Sequence, residues 1–101
     1  MRVILLGTAA GGGFPQWNCW CPTCRVARRE PRRAQPRTQS SVAVSADGNR
    51  WFLLNASPDV RQQLIATPQL HPKAGLLRHS PIAGVILTNG EVDAVAGLLS
   101  M

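Results

Sequence analysis

The sequence has 101 residues, which is room for one domain at most. Its hydrophobic content of 45% is enough for a packed core, and its net charge of +6 comes almost entirely from arginine. No apolar run approaches the ~20 residues of a membrane helix, and no charged and apolar leader precedes a small-residue cleavage site. We therefore expect no signal peptide and no membrane insertion.

The chain opens with the apolar run Arg2–Leu6, which predicts a strand buried on both faces. It leads into residues 7–24, which read GTAAGGGFPQWNCWCPTC. The three consecutive glycines Gly11–Gly13 forbid regular structure and let the backbone approach another backbone or a ligand closely. No Lys-Ser/Thr follows them as a phosphate-binding P-loop requires, so nucleotide binding is not predicted.

All three cysteines lie at the end of this stretch, as Cys19, Cys21 and Cys24 in a C-x-C-x-x-C pattern. Thiols this close on a turn can converge on one tetrahedral ion such as a structural Zn²⁺. The alternatives are redox-active or merely unpaired thiols, or one strained disulfide that leaves an odd thiol. Clustered thiols without a secretory signal are typical of the reducing cytoplasm, so we expect a cytoplasmic protein with a metal site.

A basic segment, Arg25–Arg37, follows and contains six of the ten arginines. The stretch Thr23–Glu30, which overlaps its start, predicts a short helix that Pro31 ends. The segment is broken by prolines and has no aromatic residue, whereas nucleic-acid-binding patches usually add stacking aromatics or a recognition helix. We expect a solvated basic loop and no nucleic-acid partner; the alternative is contact with an anion or an acidic peptide.

The middle of the chain predicts a β-hairpin followed by a helix. Strands at Ser41–Ala46 and Trp51–Asn55 flank an Asp-Gly turn signal. Ser57 is then a candidate N-cap, with proline and aspartate in the first turn. In this predicted helix, Val60, Leu64 and Ile65 share one face.

The last third predicts a loop at Thr67–Pro81, whose two histidines are interpreted as surface residues, and then a buried strand at Ile82–Leu87. An exit loop at Thr88–Glu91 leads into a predicted helix at Val92–Leu99, with an apolar face formed by Val92, Val95, Leu98 and Leu99. Because that face has no partner layer within the chain, we expect residues 1–101 to be the N-terminal part of a larger α/β domain.

Together these residues resemble the start of a metallo-β-lactamase-fold protein. Within that superfamily, GTAAGGGFPQWNCWCPTC, RTQSSVAVS and WFLLNASPDVR resemble the coenzyme PQQ synthesis protein B family over essentially the whole chain. The resemblance implies an α/β fold, namely the N-terminal portion of an αββα sandwich with a mixed sheet and flanking helices. Residues 1–101 would form a fragment of that single domain, with its zinc-binding loop at 7–24.

The resemblance also implies a role in making pyrroloquinoline quinone (PQQ), with the PQQ precursor peptide or PQQ itself and other proteins of the pathway as partners. One implied activity is the iron- and oxygen-dependent hydroxylation of the tyrosine of the processed precursor. The first alternative is a non-catalytic carrier that moves PQQ or its precursor towards the periplasm. The second is a phosphodiesterase-like metallo-hydrolase, because such enzymes share the cysteine spacing. Whether the chain is catalytic is left open.

For the sites, the resemblance implies a structural Zn²⁺ on Cys19, Cys21 and Cys24, with a histidine from later in the full-length protein as fourth ligand. The superfamily's active loop, T-H-x-H-x-D-H, aligns on Thr88.

In that alignment Asn89 and Glu91 replace the first two histidines, Asp93 is retained, and Ala94 replaces the last histidine. We predict Asp93 and Glu91 as catalytic carboxylates and Asp93 as a possible ligand of an active-site metal, Fe²⁺, in the full-length protein. The alternative is that both are ordinary acidic residues at a helix N-terminus, stabilised by the helix dipole.

Overall fold

The computed structural model describes all residues from Met1 to Met101. It contains four strands, three α-helices and two short 3₁₀ segments. The strands are β1 (Arg2–Gly7), β2 (Ser41–Ser45), β3 (Trp51–Leu54) and β4 (Ile82–Ile86). The helices are α1 (Pro22–Arg29), α2 (Val60–Ile65) and α3 (Val92–Val95), with 3₁₀ segments at Pro68–Leu70 and Ala96–Ser100.

The four strands form one mixed sheet in the order β1-β2-β3-β4. The first two pairings, β1 with β2 and β2 with β3, are antiparallel. The second of them is the predicted hairpin, which is thus confirmed, and the turn between β2 and β3 has Gly48 at φ +81°. The last pairing, β3 with β4, is parallel, and the chain reaches it through α2. The carboxyl ends of β3 and β4 therefore lie at the same edge of the sheet.

One face of the sheet carries the core. Its centre is a cluster of buried side chains on which α2 packs, formed by Ala43, Trp51, Leu53, Val60 and Leu70. Partly buried side chains surround it: Ile4, Leu6, Leu64, Ile82 and Val85. Burying a side chain the size of leucine stabilises a fold by about 1.5–3 kcal/mol, so this cluster is the main stabilising element of the chain.

The opposite face of the sheet is apolar but uncovered. The strand register aligns its side chains in two rows across all four strands, Val3–Val44–Phe52–Gly84 and Leu5–Val42–Leu54–Ile86. Leu5 is 66% exposed, and Val3 and Ile86 are also exposed. The expectation that β1 and β4 are buried on both faces was therefore wrong, because within these 101 residues only one face has a covering layer.

The helices largely follow prediction but bury different residues. α1 matches its predicted span within one residue. α2 begins only at Val60, with Asp59 at the N-cap, and Ser57 instead accepts a hydrogen bond from the Asp59 backbone N–H at 3.2 Å. Ile65 is exposed, whereas Gln63 is buried. Polar contacts, described below, therefore decide which face of this helix turns inward.

α3 differs most from prediction, because it is a single turn that continues as a 3₁₀ segment. Val92, Leu98 and Leu99 are exposed, and the small residues Ala94 and Gly97 are buried instead. Backbone hydrogen bonds explain the choice: the Ala56 N–H donates to the Ala94 carbonyl at 2.8 Å. The Gly97 N–H in turn donates to the Ala56 carbonyl at 2.9 Å. Two backbones this close leave room only for small side chains.

Candidate metal centre

The three cysteine thiols converge at the N-terminus of α1. All three are free, and their Sγ atoms lie within 4.8 Å of one another. No other group of three or more cysteine, histidine or carboxylate side chains in the structure brings its ligand atoms together in this way. The structure therefore brings together the three residues that the sequence spacing singled out.

Local backbone geometry holds this arrangement. Cys21 is the N-cap residue of α1, and its Sγ accepts a hydrogen bond from the Cys24 N–H at 3.4 Å. Cys19 Sγ accepts one from the Cys21 N–H at 3.5 Å. The preceding loop is fixed by Arg28, whose Nη2 donates to the carbonyls of Gln16 and Trp17 at 2.6 and 3.2 Å. The three thiols are thus positioned by the turn at Cys19–Cys21, by the N-terminus of α1 and by the guanidinium group of Arg28.

The surroundings also tune the thiols. Hydrogen bonds from the Cys24 backbone and from the neighbouring thiols lower the pKa of Cys21 from 9.0 to about 7. The pKa of Cys24 is raised: a backbone hydrogen bond from Gln16 lowers it, but burial and the adjacent thiols outweigh that effect. Because the thiolate is the metal-binding form, Cys21 is prepared for coordination near neutral pH.

The donor set fits a zinc ion. Tetrahedral coordination with Zn–S bonds of ~2.3 Å requires sulfur atoms about 3.8 Å apart. The observed limit of 4.8 Å is within a rotamer adjustment of that value. Three thiolates would occupy three of the four positions of a tetrahedral zinc ion, and structural zinc sites fill the fourth with a further cysteine or histidine.

The loop that follows β4 is anchored at its start by Asn55, at the end of β3. Asn55 is the only non-glycine residue with a positive φ, +68°. Its Oδ1 accepts a hydrogen bond from the Thr88 N–H at 2.9 Å, and its Nδ2 donates to Thr88 Oγ1 at 2.9 Å. The side chain thus ties the two parallel strand ends together, a role that the sequence reading did not assign to it.

Asp93, the predicted catalytic carboxylate, lies against the glycine-rich loop. A Cβ at Gly11 would be 3.4 Å from Asp93 Oδ2, which is van der Waals contact, so the carboxylate lies next to this glycine. Glu91 is exposed, and its N–H donates to Asn89 Oδ1 at 2.9 Å. Ala94 is buried at 4% exposure beneath Ala56. Neither carboxylate belongs to a group of three ligand atoms close enough to hold a metal ion within these 101 residues.

Two buried glutamines connect the glycine-rich loop to α2, and the sequence reading missed both. Gln39 Oε1 accepts from the Gly12 N–H at 3.0 Å, and Asp59 Oδ2 accepts from the Gln39 N–H at 2.9 Å. Gln63 Nε2 donates to the Gln39 carbonyl at 2.7 Å and to Thr38 Oγ1 at 3.0 Å. Isolated glutamines carry no local signal of this kind, because the network joins residues up to 27 positions apart.

No helix in the structure has the length and apolar character needed to cross a membrane.

Comparison with known protein families assigns the chain to a family. The family described as "Beta-lactamase superfamily domain" matches residues 50–101, which is just over half of the chain. The chain therefore belongs to the β-lactamase superfamily domain family, as the resemblance implied.

The relatives narrow this assignment. Over all 101 residues the chain is 76% identical to coenzyme PQQ synthesis protein B of Rhodopseudomonas palustris (strain TIE-1). It is 68% identical over the same length to coenzyme PQQ synthesis protein B of Methylobacterium radiotolerans. The predicted membership of the coenzyme PQQ synthesis protein B family is confirmed. The chain spans about a third of the length of these curated relatives, 32% and 33% respectively.

Solved structures give the same result. The crystal structure of Zn²⁺-bound PqqB from Methylobacterium extorquens matches with a TM-score of 0.94 and 65% identity, over 99% of this chain and 33% of that one. A diphosphatase from the PhnP family matches with a TM-score of 0.70 and 26% identity, over 97% of this chain and 33% of that one. The predicted fold class, a mixed sheet with flanking helices from a metallo-β-lactamase-like domain, is confirmed.

Proposed function

We propose that this chain is part of a protein that acts in pyrroloquinoline quinone biosynthesis. The observation that carries the proposal is its 76% identity, over every residue, to coenzyme PQQ synthesis protein B. Its partners are then the PQQ precursor peptide or PQQ and other proteins of the pathway. We further propose a cytoplasmic location, where the three free thiols stay reduced and available to metal.

The cofactor proposed for the cysteine cluster is a structural Zn²⁺ on Cys19, Cys21 and Cys24. Two findings support it: the convergence of the three Sγ atoms and the Zn²⁺ in the similar PqqB structure. The fourth ligand is a histidine outside these 101 residues. Zinc bound there ties the glycine-rich stretch to α1, so its role is to stabilise the loop rather than to activate a substrate.

The reaction proposed for the whole protein is hydroxylation of the tyrosine of the processed precursor peptide. Iron, when bound, would supply oxygen activation. The residues described here do not form an iron site by themselves, because Asp93 and Glu91 are the only carboxylates of the loop and no third ligand atom joins them. What the chain contributes is Asp93, which lies next to Gly11 in a loop that Asn55 anchors.

A specific observation favours the carrier alternative. Three of the four ligand positions of the active loop hold Asn89, Glu91 and Ala94 rather than histidine, and Ala94 is packed under Ala56. A hydrolase is less well supported, despite the similar fold of the diphosphatase. Metal-assisted hydrolysis relies on metal-bound hydroxide, and this loop lacks all three histidines that would help to hold such metals.

Genetic complementation tests the pathway assignment. A PQQ-producing bacterium with its own family gene deleted receives the protein at the full length of its relatives, and PQQ is measured by mass spectrometry. We expect PQQ formation to return. No recovery despite normal protein levels would overturn the proposed pathway.

Biochemistry then separates the activities. The purified protein is loaded with Fe²⁺ and incubated in air with the processed precursor and a two-electron reductant such as ascorbate, which reduces the second oxygen atom of O₂ to water. We expect the peptide to gain the mass of one oxygen atom. Asp93→Asn should abolish the gain while leaving the zinc content unchanged. If the deletion strain instead makes normal amounts of PQQ, and the PQQ accumulates in its cytoplasm, the result would support the carrier. Cleavage of bis(p-nitrophenyl) phosphate would support the hydrolase.

A further inference from the structure

Two of the three tryptophans are exposed beside the arginines of α1. Within these 101 residues Trp17 is 81% exposed and Trp20 is 52% exposed, whereas tryptophan is highly buried on average. Arg29 lies over the Trp20 ring, with its Cζ 5.2 Å from the ring centroid. Arg28 reaches back to the Trp17 carbonyl. The tryptophan–arginine face is defined here by five residues: Trp17, Trp20, Arg25, Arg28 and Arg29.

The charge of this face is unbalanced. Arg25, Arg28 and Arg29 are spaced i, i+3 and i+4, so they share one side of α1, whose first turn contains no acidic residue. Like charges at these spacings repel each other and destabilise a helix. Glu30 is the only acidic residue before position 47, and it pairs with Arg33 at 3.0 Å. The face therefore lacks an internal counter-charge.

The structure places aromatic side chains beside the basic segment, which contains none itself. The aromatic residues come from the preceding loop, which the cysteine turn folds back against α1. Sequence distance hid the pairing, since Trp17 and Trp20 precede the arginines by several residues.

Neutralising the thiolates of the metal centre does not account for the face. Arg28 donates to the two backbone carbonyls, and the Sγ atoms of Cys19 and Cys21 accept hydrogen bonds from backbone N–H groups rather than from an arginine. Trp17 contributes apolar surface, which does not coordinate a metal ion. Tryptophan and arginine are both enriched at the energetic centres of protein–protein interfaces.

We propose that the tryptophan–arginine face is a docking surface for an acidic segment of a partner protein. Carboxylates of the segment pair with Arg25 and Arg29, for which guanidinium groups offer two parallel N–H donors. An apolar side chain of the segment covers Trp17. Helix α1 has eight residues, about 12 Å at the ~1.5 Å rise of a helix, so the complementary segment is short. This inference rests on charge and exposure and is independent of the proposed pathway.

Fluorescence anisotropy tests the proposal with the protein at the full length of its relatives. The probe is a fluorescein-labelled 12-residue peptide that alternates glutamate pairs with leucine; the controls are its lysine counterpart and a labelled oligouridine of equal length. We expect only the glutamate peptide to bind, and to bind less tightly as salt rises. Trp17→Ala and the double variant Arg25→Gln/Arg29→Gln should each weaken binding by about tenfold or more.

The matched control is Arg61→Gln, which removes an exposed arginine of α2 and should change the affinity by less than about twofold, as expected for an isolated surface charge. Zinc content should be equal in all variants, which separates loss of docking from loss of the metal centre.

Three results would overturn the proposal. The face variants could bind the glutamate peptide as tightly as the unchanged protein does, or oligouridine could bind more tightly than the glutamate peptide through the same residues. Alternatively, the fluorescence of Trp17 could be shielded from quenching by acrylamide when no peptide is present. The last would show that the rest of the protein already covers the face.

Discussion

Replacing Gly97 with alanine tests the close backbone packing beneath the candidate active loop. A Cβ at this position would lie 2.8 Å from the carbonyl carbon and oxygen of Ala56 and closer still to the Ser57 carbonyl oxygen. These are backbone atoms, so no side-chain rotation relieves the clash. The segment has to move away, which also lengthens the 2.9 Å hydrogen bond from the Gly97 N–H to the Ala56 carbonyl.

The magnitude follows from two contributions. Overpacking by one methyl group costs about 1–3 kcal/mol, and weakening the buried hydrogen bond adds about 1 kcal/mol, so Gly97→Ala should lower the free energy of unfolding by about 2–4 kcal/mol. For urea m-values of about 1–3 kcal/mol/M, the unfolding midpoint should fall by roughly 1 M or more. Fluorescence of the buried Trp51 reports the transition.

Gly90→Ala is the matched control, because nothing lies within 4 Å of a Cβ added there and its φ is not positive. Its midpoint should stay the same or rise slightly, since alanine restricts the unfolded chain by about 0.4–1 kcal/mol. Equal midpoints for the two alanine variants would refute the claim that Gly97 is required by backbone contact.

Three further outcomes are expected. Cys21→Ser should lower both the zinc per chain and the melting temperature, and an unchanged zinc content would contradict the structural zinc site. Asn55→Gly keeps the positive φ but removes the side-chain bonds to Thr88, so the Thr88 amide should exchange with solvent faster; equal protection would show that the anchor is dispensable. The pKa of Asp47 is lowered by hydrogen bonds from the Arg50 backbone and its neighbours. The charged form therefore stabilises the fold above the ordinary carboxyl pKa of 3.8, and that stability is lost as pH falls through the lower folded value. In Asp47→Asn this part of the acid dependence of unfolding should be absent.

Local patterns in the sequence predicted the elements whose causes are local. The hairpin followed from alternation and one Asp-Gly turn, and the convergence of the thiols followed from their spacing. In both cases the residues that decide the structure lie within a few positions of one another.

The errors arose where distant residues decide. Burial of Ala94 and Gly97, in place of the larger Val92 and Leu98, depends on a backbone contact with Ala56 that no helical periodicity encodes. Hydrophobicity alone would predict that Val92 and Leu98 are buried and that Ala94 and Gly97 are exposed. The anchor at Asn55 likewise exists only because parallel pairing brings the ends of β3 and β4 together.

The contrast between Gly90 and Gly97 has a consequence for engineering this protein. Residues 89–92 are exposed, so a combinatorial library confined to them would sample new ligands while leaving the folded scaffold intact. A few residues later, every position from Ala94 to Gly97 is at least partly buried. The exposed positions available for new ligands and the buried positions that hold the fold together thus lie in two adjacent stretches of the chain. A laboratory search for new metal specificity should vary residues 89–92 and leave residues 94–97 unchanged.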